Sequence, residues 1–213
     1  MSKQKNQKFK NEIAKTAFPY IVKALHVEGI ITDNDLLDKT IVLNKVKEYL
    51  DDENNEINFE LIVDHRDYII NLARLEEKKG NTELTTTLYA TYVEHTLNRI
   101  IHIACVSKKH DYKTQNEIIR NINIGGKCTW LLELLELPAL NPNHVKTILE
   151  ISDERNSFIH YKWKPELKLS SISRRRKIED VERKERIDSL LKYLENYESE
   201  LEFKGDKEKF DLL

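Results

Sequence analysis

Between Asn81 and His110 the chain reads NTELTTTLYATYVEHTLNRIIHIACVSKKH, and the fold follows from this stretch. Leu84, Leu88, Val93, Leu97, Ile101 and Ala104 recur at helical spacing and lie on one stripe of a single long helix. Asn81 or Thr82 supplies its N-cap just after Gly80, where the preceding helix stops. A helix of this kind is stabilised mainly by packing its apolar face on other helices, so an all-α bundle is expected.

Toward the N-terminus the pattern predicts a helix from about Phe59 to Lys79. Before it, Asp51 to Asn58 (DDENNEIN) is acidic and poor in apolar residues, the best internal boundary in the chain. A first helix is expected from about Phe9 to Glu28, kinked at Pro19 and stopped by Gly29. Thr32-Asp33-Asn34-Asp35 offers N-caps for a second, which carries Leu36, Leu37, Ile41, Val42 and Val46. Toward the C-terminus, Lys113 to Asn121 reads as a short helix, and Gly125-Gly126 separates it from another over Lys127 to Leu137, which Pro138 ends. Asn141-Pro142-Asn143 is a turn, with Asn143 the N-cap of a helix reaching about Tyr161. Trp163 to Ser171 reads as a loop, and Ile172 to about Phe203 as a last, highly charged helix. The expected organisation is an N-terminal helical extension over 1–58, a helical bundle over 59–203 and a loose tail over 204–213.

Composition agrees with an all-α reading. The chain has five glycines and four prolines in 213 residues, where average usage gives about 25. A β-sandwich or barrel lacks its turn residues here, and neither G-x-G-x-x-G nor G-x-x-x-x-G-K-[ST] occurs. No apolar run approaches the ~18 residues of a membrane span, and the opening MSKQKNQKFK lacks the apolar core of a signal peptide. Cys105 and Cys128 form no C-x-x-C pair, which reads as reduced cysteines in a cytoplasmic protein. With 35 basic and 37 acidic residues, the net charge of −2 excludes coating nucleic acid by bulk charge but leaves room for a local basic cleft.

The helix after Asn143 holds the chemistry. Val145, Ile148, Leu149, Ile151, Phe158 and Ile159 define its core face, and Arg155 follows Ile151 by four residues and Ile148 by seven. A guanidinium there must find a carboxylate or face a cleft. Asn156 and His160, four apart, share one side of the same helix. A fixed cation, an amide and an imidazole suit a phosphodiester, because Arg stabilises charge on phosphorus and His moves protons near neutral pH.

Arg155-Asn156-Ser157-Phe158-Ile159-His160 resembles the R-x4–6-H motif of HEPN domains, in the form where a polar residue follows the Arg. The resemblance covers about Phe59 to Phe203 and leaves the first two helices unassigned. Its second element is Glu94, an inward acidic residue on the long earlier helix, within Tyr92-Val93-Glu94-His95-Thr96-Leu97. The bare Arg–His spacing is a weak signal, sharpened by the Asn after Arg and by the helical context. The resemblance implies a helical bundle, usually dimeric, and a metal-independent endoribonuclease of toxin–antitoxin, abortive-infection or CRISPR systems. It implies attack by the RNA's own 2′-hydroxyl, leaving a 2′,3′-cyclic phosphate, with no cofactor and no metal. Arg155 stabilises the phosphorane, His160 positions phosphate or transfers protons, Asn156 orients one of them and Glu94 holds Arg155. An antitoxin or inhibitor protein is an implied partner, and RNA the implied substrate. The alternative is a non-catalytic HEPN-like module that dimerises or docks a partner.

One departure matters. Toxins of this family paired with nucleotidyltransferase antitoxins carry a Tyr two residues after the His, whereas here Tyr161 follows His160 directly and Lys162 holds that position. This weakens the case for control by AMPylation there. Tyr161 then reads as structural, or as a base-stacking surface where it reaches the cleft, and Lys162-Trp163-Lys164 as an RNA contact. Arg174-Arg175-Arg176-Lys177, Arg183, Lys184 and Arg186 are interleaved with acids and read as a solvated face. His95 and His102 lack a third metal ligand, and Lys127, after the glycine pair, reads as a surface lysine.

Overall fold

Threonine is β-branched and ordinarily costs a helix stability, yet the chain places five of them between Thr85 and Thr96. The computed structural model describes residues 17–52, 64–160, 172–203 and 210, with the backbone alone over 172–180. In it the threonine hydroxyls donate back to their own helix: Thr86 to Thr82 O at 2.9 Å, Thr87 to Glu83 O at 2.9 Å, Thr91 to Thr87 O at 2.8 Å and Thr96 to Tyr92 O at 3.0 Å. Those four hydroxyls are thereby satisfied without leaving the helix, whereas Thr85 Oγ1 is buried without a partner.

Among the described residues every regular element is helical and no strand occurs, so the protein is an all-α bundle. The order is α1 (17–27), a 3₁₀ turn at Asp35–Leu37, α2 (Lys39–Asp51), α3 (Arg66–Lys79), α4 (Thr82–Ser107), α5 (Tyr112–Asn121), α6 (Ile124–Cys128), α7 (Trp130–Leu134), α8 (Pro142–Ile159) and α9 (Ile172–Phe203). No helix among the described residues is long and apolar enough to cross a membrane.

The chain divides into two compact units, one of residues 1–62 with 203–213 and one of residues 63–202. In the first, Phe18, Val22, Leu25, Ile31, Leu36, Val42 and Val46 bury against Phe203 and Phe210. Where the sequence suggests a loose tail, Phe210 is therefore a core residue, an apolar side chain recruited by a surface that pattern alone does not reveal. Leu37 and Ile41 stay exposed, because the 3₁₀ turn precedes α2 and shifts their phase. In the second unit α4 packs on α3 and α8. Tyr89, Val93, Leu97 and Ile100 of α4 meet Ile148 and Ile151 of α8 and Ile187, Leu190, Leu191 and Leu194 of α9 in one cluster. Each fully buried aliphatic side chain contributes roughly 1.5–3 kcal/mol.

Local chemistry moves several boundaries from their expected places. Helix α3 starts at Arg66, where Asp64 Oδ1 accepts the Arg66 N–H at 2.9 Å; residues 53–63 lie outside the described part. Helix α4 stops at Ser107, and Lys109 adopts a left-handed φ of 59°. The glycine pair does not break a helix but lies inside α6, whose N-cap Asn123 accepts from Gly126 N–H at 2.8 Å. The break comes instead at Thr129, so Lys127 to Leu137 is not one helix. Asn141 rather than Asn143 caps α8, with Pro142 in its first turn. The His144 ring stacks on Tyr193 of α9 at 4.4 Å, and Tyr193 Oη accepts from Asn141 N–H at 3.1 Å, which holds the start of α8.

The face of α8 differs too. Ile148 and Ile151 are buried, with Thr147 and Ser152 beside them, while Leu149, Phe158 and Ile159 are 37%, 51% and 49% exposed. The cluster that buries Ile148 and Ile151 takes in neither Phe158 nor Ile159, although both keep the core phase of the helix.

Space at Gly126 sets the approach of α6. A Cβ there would lie 2.8 Å from Ile122 Cγ2 and 2.9 Å from Trp130 Nε1, whereas one at Gly125 meets only ordinary contacts at 3.5 and 3.8 Å. Gly126→Ala is expected to destabilise the protein by about 1–3 kcal/mol in urea unfolding. Gly125→Ala is expected to be neutral or stabilising by up to ~1 kcal/mol. Equal effects at the two positions would contradict this packing.

Candidate functional site

Arg155 lies on the inner side of α8, in phase with Ile148 and Ile151, and reaches across to α4. Its Nη1 donates to Glu94 Oε2 at 3.0 Å. The Arg155 side chain is 24% exposed and that of Glu94 32%, so the pair is half-buried and only partly screened by water. Arg155 Nε is buried without a hydrogen-bond partner, and among the described residues Nη1 is the guanidinium nitrogen that makes a hydrogen bond. The guanidinium is thus held at one corner and keeps donor capacity to spare.

The Glu94 carboxylate has a second cation. Lys127 of α6 is 3% exposed, which overturns the reading of it as a surface lysine. Its Nζ donates to Asn98 Oδ1 at 2.7 Å and lies 3.9 Å from Glu94 Oε1. Glu94 and Asn98 are one turn apart on α4, so one side of that helix presents a carboxylate and an amide to the lysine. Burial pulls the Lys127 ammonium below the ordinary lysine value of 10.5, with Glu94 opposing. A signal existed in the sequence: Leu131 and Leu135, four and eight residues later, are both buried. The turn at Thr129 and the small neighbours Gly126 and Cys128 let the short helix come close enough to bury it.

The other candidates are placed less tightly. Asn156 is half-buried, and its backbone oxygen accepts the N–H of His160 at 3.0 Å. His160 is the C-cap of α8 and is exposed. Successive helical residues turn by about 100°, so Asn156 and His160 occupy a flank of α8 rather than the side bearing Arg155. Among the described residues no hydrogen bond joins Arg155 to either of them. Tyr161, Lys162, Trp163 and Lys164 lie outside the described residues, as do the side chains of Arg174, Arg175, Arg176 and Lys177.

The described part of the basic stretch is not simply solvated. Arg183 Nη2 donates to Glu154 Oε2 at 2.5 Å and Thr86 Oγ1 at 2.7 Å, and Lys184 Nζ to Glu77 Oε2 at 2.9 Å. These are links between helices. A cleft along the first turns of α8, lined by Asn141, His144, Thr147, Glu185 and Arg186, does not include Arg155. No group of three metal-ligating side chains occurs among the described residues, and His95 is exposed. Both cysteines are free and buried, and burial pushes the Cys128 thiol up to about 12, with Lys127 opposing, so neither is an activated nucleophile.

No protein-family model matches the chain, and neither a curated protein nor a solved structure matches it.

Glu94 stands between two cations, one of them buried. Glu94→Gln leaves both without a counter-charge and is expected to lower stability by about 2 kcal/mol in urea unfolding. Glu154→Gln, at the more exposed pair with Arg183, is expected to cost less than ~1 kcal/mol. A Glu94→Gln protein as stable as wild type would show that the cluster is not coupled.

Proposed function

We propose that the protein is a metal-independent endoribonuclease of the HEPN type, cleaving single-stranded or loop RNA. The observation that supports this reading best is the hold of Glu94 on Arg155. It orients a guanidinium with donors to spare on the helix that ends in His160. In this reading the RNA 2′-oxygen forms the new bond to phosphorus and loses its proton, and the 5′-oxygen leaves and gains one. Arg155 donates to the non-bridging oxygens as their charge grows, which is where a fixed cation lowers the barrier most. His160 transfers a proton or positions the phosphate, and Asn156 orients the imidazole or the phosphate. Tyr161, Lys162, Trp163 and Lys164 follow the motif directly and would contact flanking nucleotides.

A homodimer belongs to this reading. One Arg and one His are a sparse set for phosphodiester cleavage, and a two-fold pairing of α8 ends brings two of each to one groove. Such a groove is basic without a basic protein, consistent with the net charge of −2. A cytoplasmic toxin or phage-defence effector restrained by an antitoxin or inhibitor is the matching biological role. The second reading, a non-catalytic partner-binding module, is favoured by one observation: no hydrogen bond links Arg155 to His160. There Arg155–Glu94 is only a structural ion pair.

Cleavage of single-stranded RNA by purified protein in excess EDTA separates the two. Arg155→Ala and His160→Ala are each expected to lower the rate by about 10²-fold or more while the far-UV helical signal stays unchanged. Excess Arg155→Ala protein mixed with wild type is expected to suppress cleavage beyond dilution. Cleavage that survives both substitutions overturns the site, and a wild type inert toward RNA favours the binding module.

A further inference from the structure

Among the described residues Lys127 is the one buried cationic side chain, and burying an ammonium is costly unless something is gained from it. It does not cap a helix end or span the two units. It reaches only the inner edge of the Glu94–Arg155 pair, with Asn98 accepting one of its protons. The two oxygens of Glu94 are divided between the cations, Oε2 facing Arg155 at 3.0 Å and Oε1 facing Lys127 at 3.9 Å. Arg155 and Glu94 alone form a neutral pair with little pull on an anion. With Lys127 the three side chains sum to one positive charge.

We propose that Lys127 is a positioning residue that answers Glu94 from the buried side, so that Arg155 keeps an uncancelled charge for one phosphate group. Glu94 is needed to aim the guanidinium, and its own charge would otherwise cancel what it aims. Lys127 resolves that conflict from inside the bundle, where substrate does not compete for it. The ammonium stays away from the phosphate and acts through the carboxylate. The inference rests on the ribonuclease reading only in taking phosphate as the anion.

The test uses inorganic phosphate, so that it does not depend on cleavage. The Arg155 Nε–H is buried and unpartnered, which protects its NMR signal from exchange with water and makes it a reporter on the guanidinium itself. Phosphate is expected to shift this signal saturably in the wild type. Lys127→Met is expected to weaken phosphate binding by about tenfold. The double variant Glu94→Gln/Lys127→Met restores the net charge but loses the carboxylate that aims Arg155, so it is expected to bind more tightly than Lys127→Met and short of wild type. A purely structural lysine predicts no such recovery. If Lys127→Met fails to fold, Lys127→Gln, whose amide keeps a donor for Asn98 without the charge, takes its place and is expected to weaken phosphate binding to the same extent. Unchanged binding in the uncharged Lys127 variant, a double variant that binds no better than it, or a wild-type signal indifferent to phosphate overturns the proposal. Phosphate binding without RNA cleavage instead sinks the ribonuclease reading and leaves the role of Lys127 standing.

Discussion

Helix α4 has more apolar circumference than any one partner can cover. Tyr89, Val93, Leu97 and Ile100 face a cluster shared with α8 and α9, while Ile101, Ala104 and Cys105 face Leu131 and Leu135 around α7. Twelve of its 26 residues are buried, on more than one side, so the second unit is arranged around it. That requirement also explains why most polar residues on α4 are paired or turned back on the helix, with Thr85 Oγ1 the exception among its buried hydroxyls. The hydroxyls of Thr86, Thr87, Thr91 and Thr96 bond to carbonyls one turn earlier, Tyr92 Oη donates to Glu195, and Arg99 Nη2 donates to Glu202 at 3.0 Å.

Charges at the edge of this core follow the same rule. Arg66 sits between Glu198 and Asp64, with burial opposing its charge and the two carboxylates more than offsetting that, so it stays firmly protonated. Arg155, Glu94 and Lys127 obey it differently. Arg66 has more carboxylate than cation around it, whereas at Glu94 two cations share a single carboxylate. A bundle seeking only stability would match the charges one to one or replace them with apolar residues, which often does as well or better. Glu150 also faces two cations, Lys146 and Arg186, but in the open; burial of Lys127 and of the unpartnered Arg155 Nε is what sets the Glu94 cluster apart.

The pairing of Arg155 with Glu94 could be anticipated, because helical phase puts Arg155 on the core face of α8 and Glu94 beside the buried stripe of α4. Lys127 could not be, although its phase with Leu131 and Leu135 hinted at it. A glycine pair before a lysine normally signals a turn and an exposed chain. Here Gly126 instead provides the room for α6 to close on its neighbours, and that depends on Ile122 and Trp130 standing where they do.

What the sequence determined by itself is local in origin. Its scarcity of glycine and proline, the 3.6-residue period of its apolar positions, and helix stops such as Gly29 and Gly80 are properties of a few neighbouring residues, and they suffice for an all-α chain. Tertiary structure decided which apolar residues are covered: Phe210 is buried, while Phe158 and Ile159 on the core phase of α8 are not. It also decided that three charges from α4, α6 and α8 meet. Burial and charge balance depend on what lies opposite a side chain in space, and residues 33 and 61 positions apart become neighbours of Glu94 only when the helices pack.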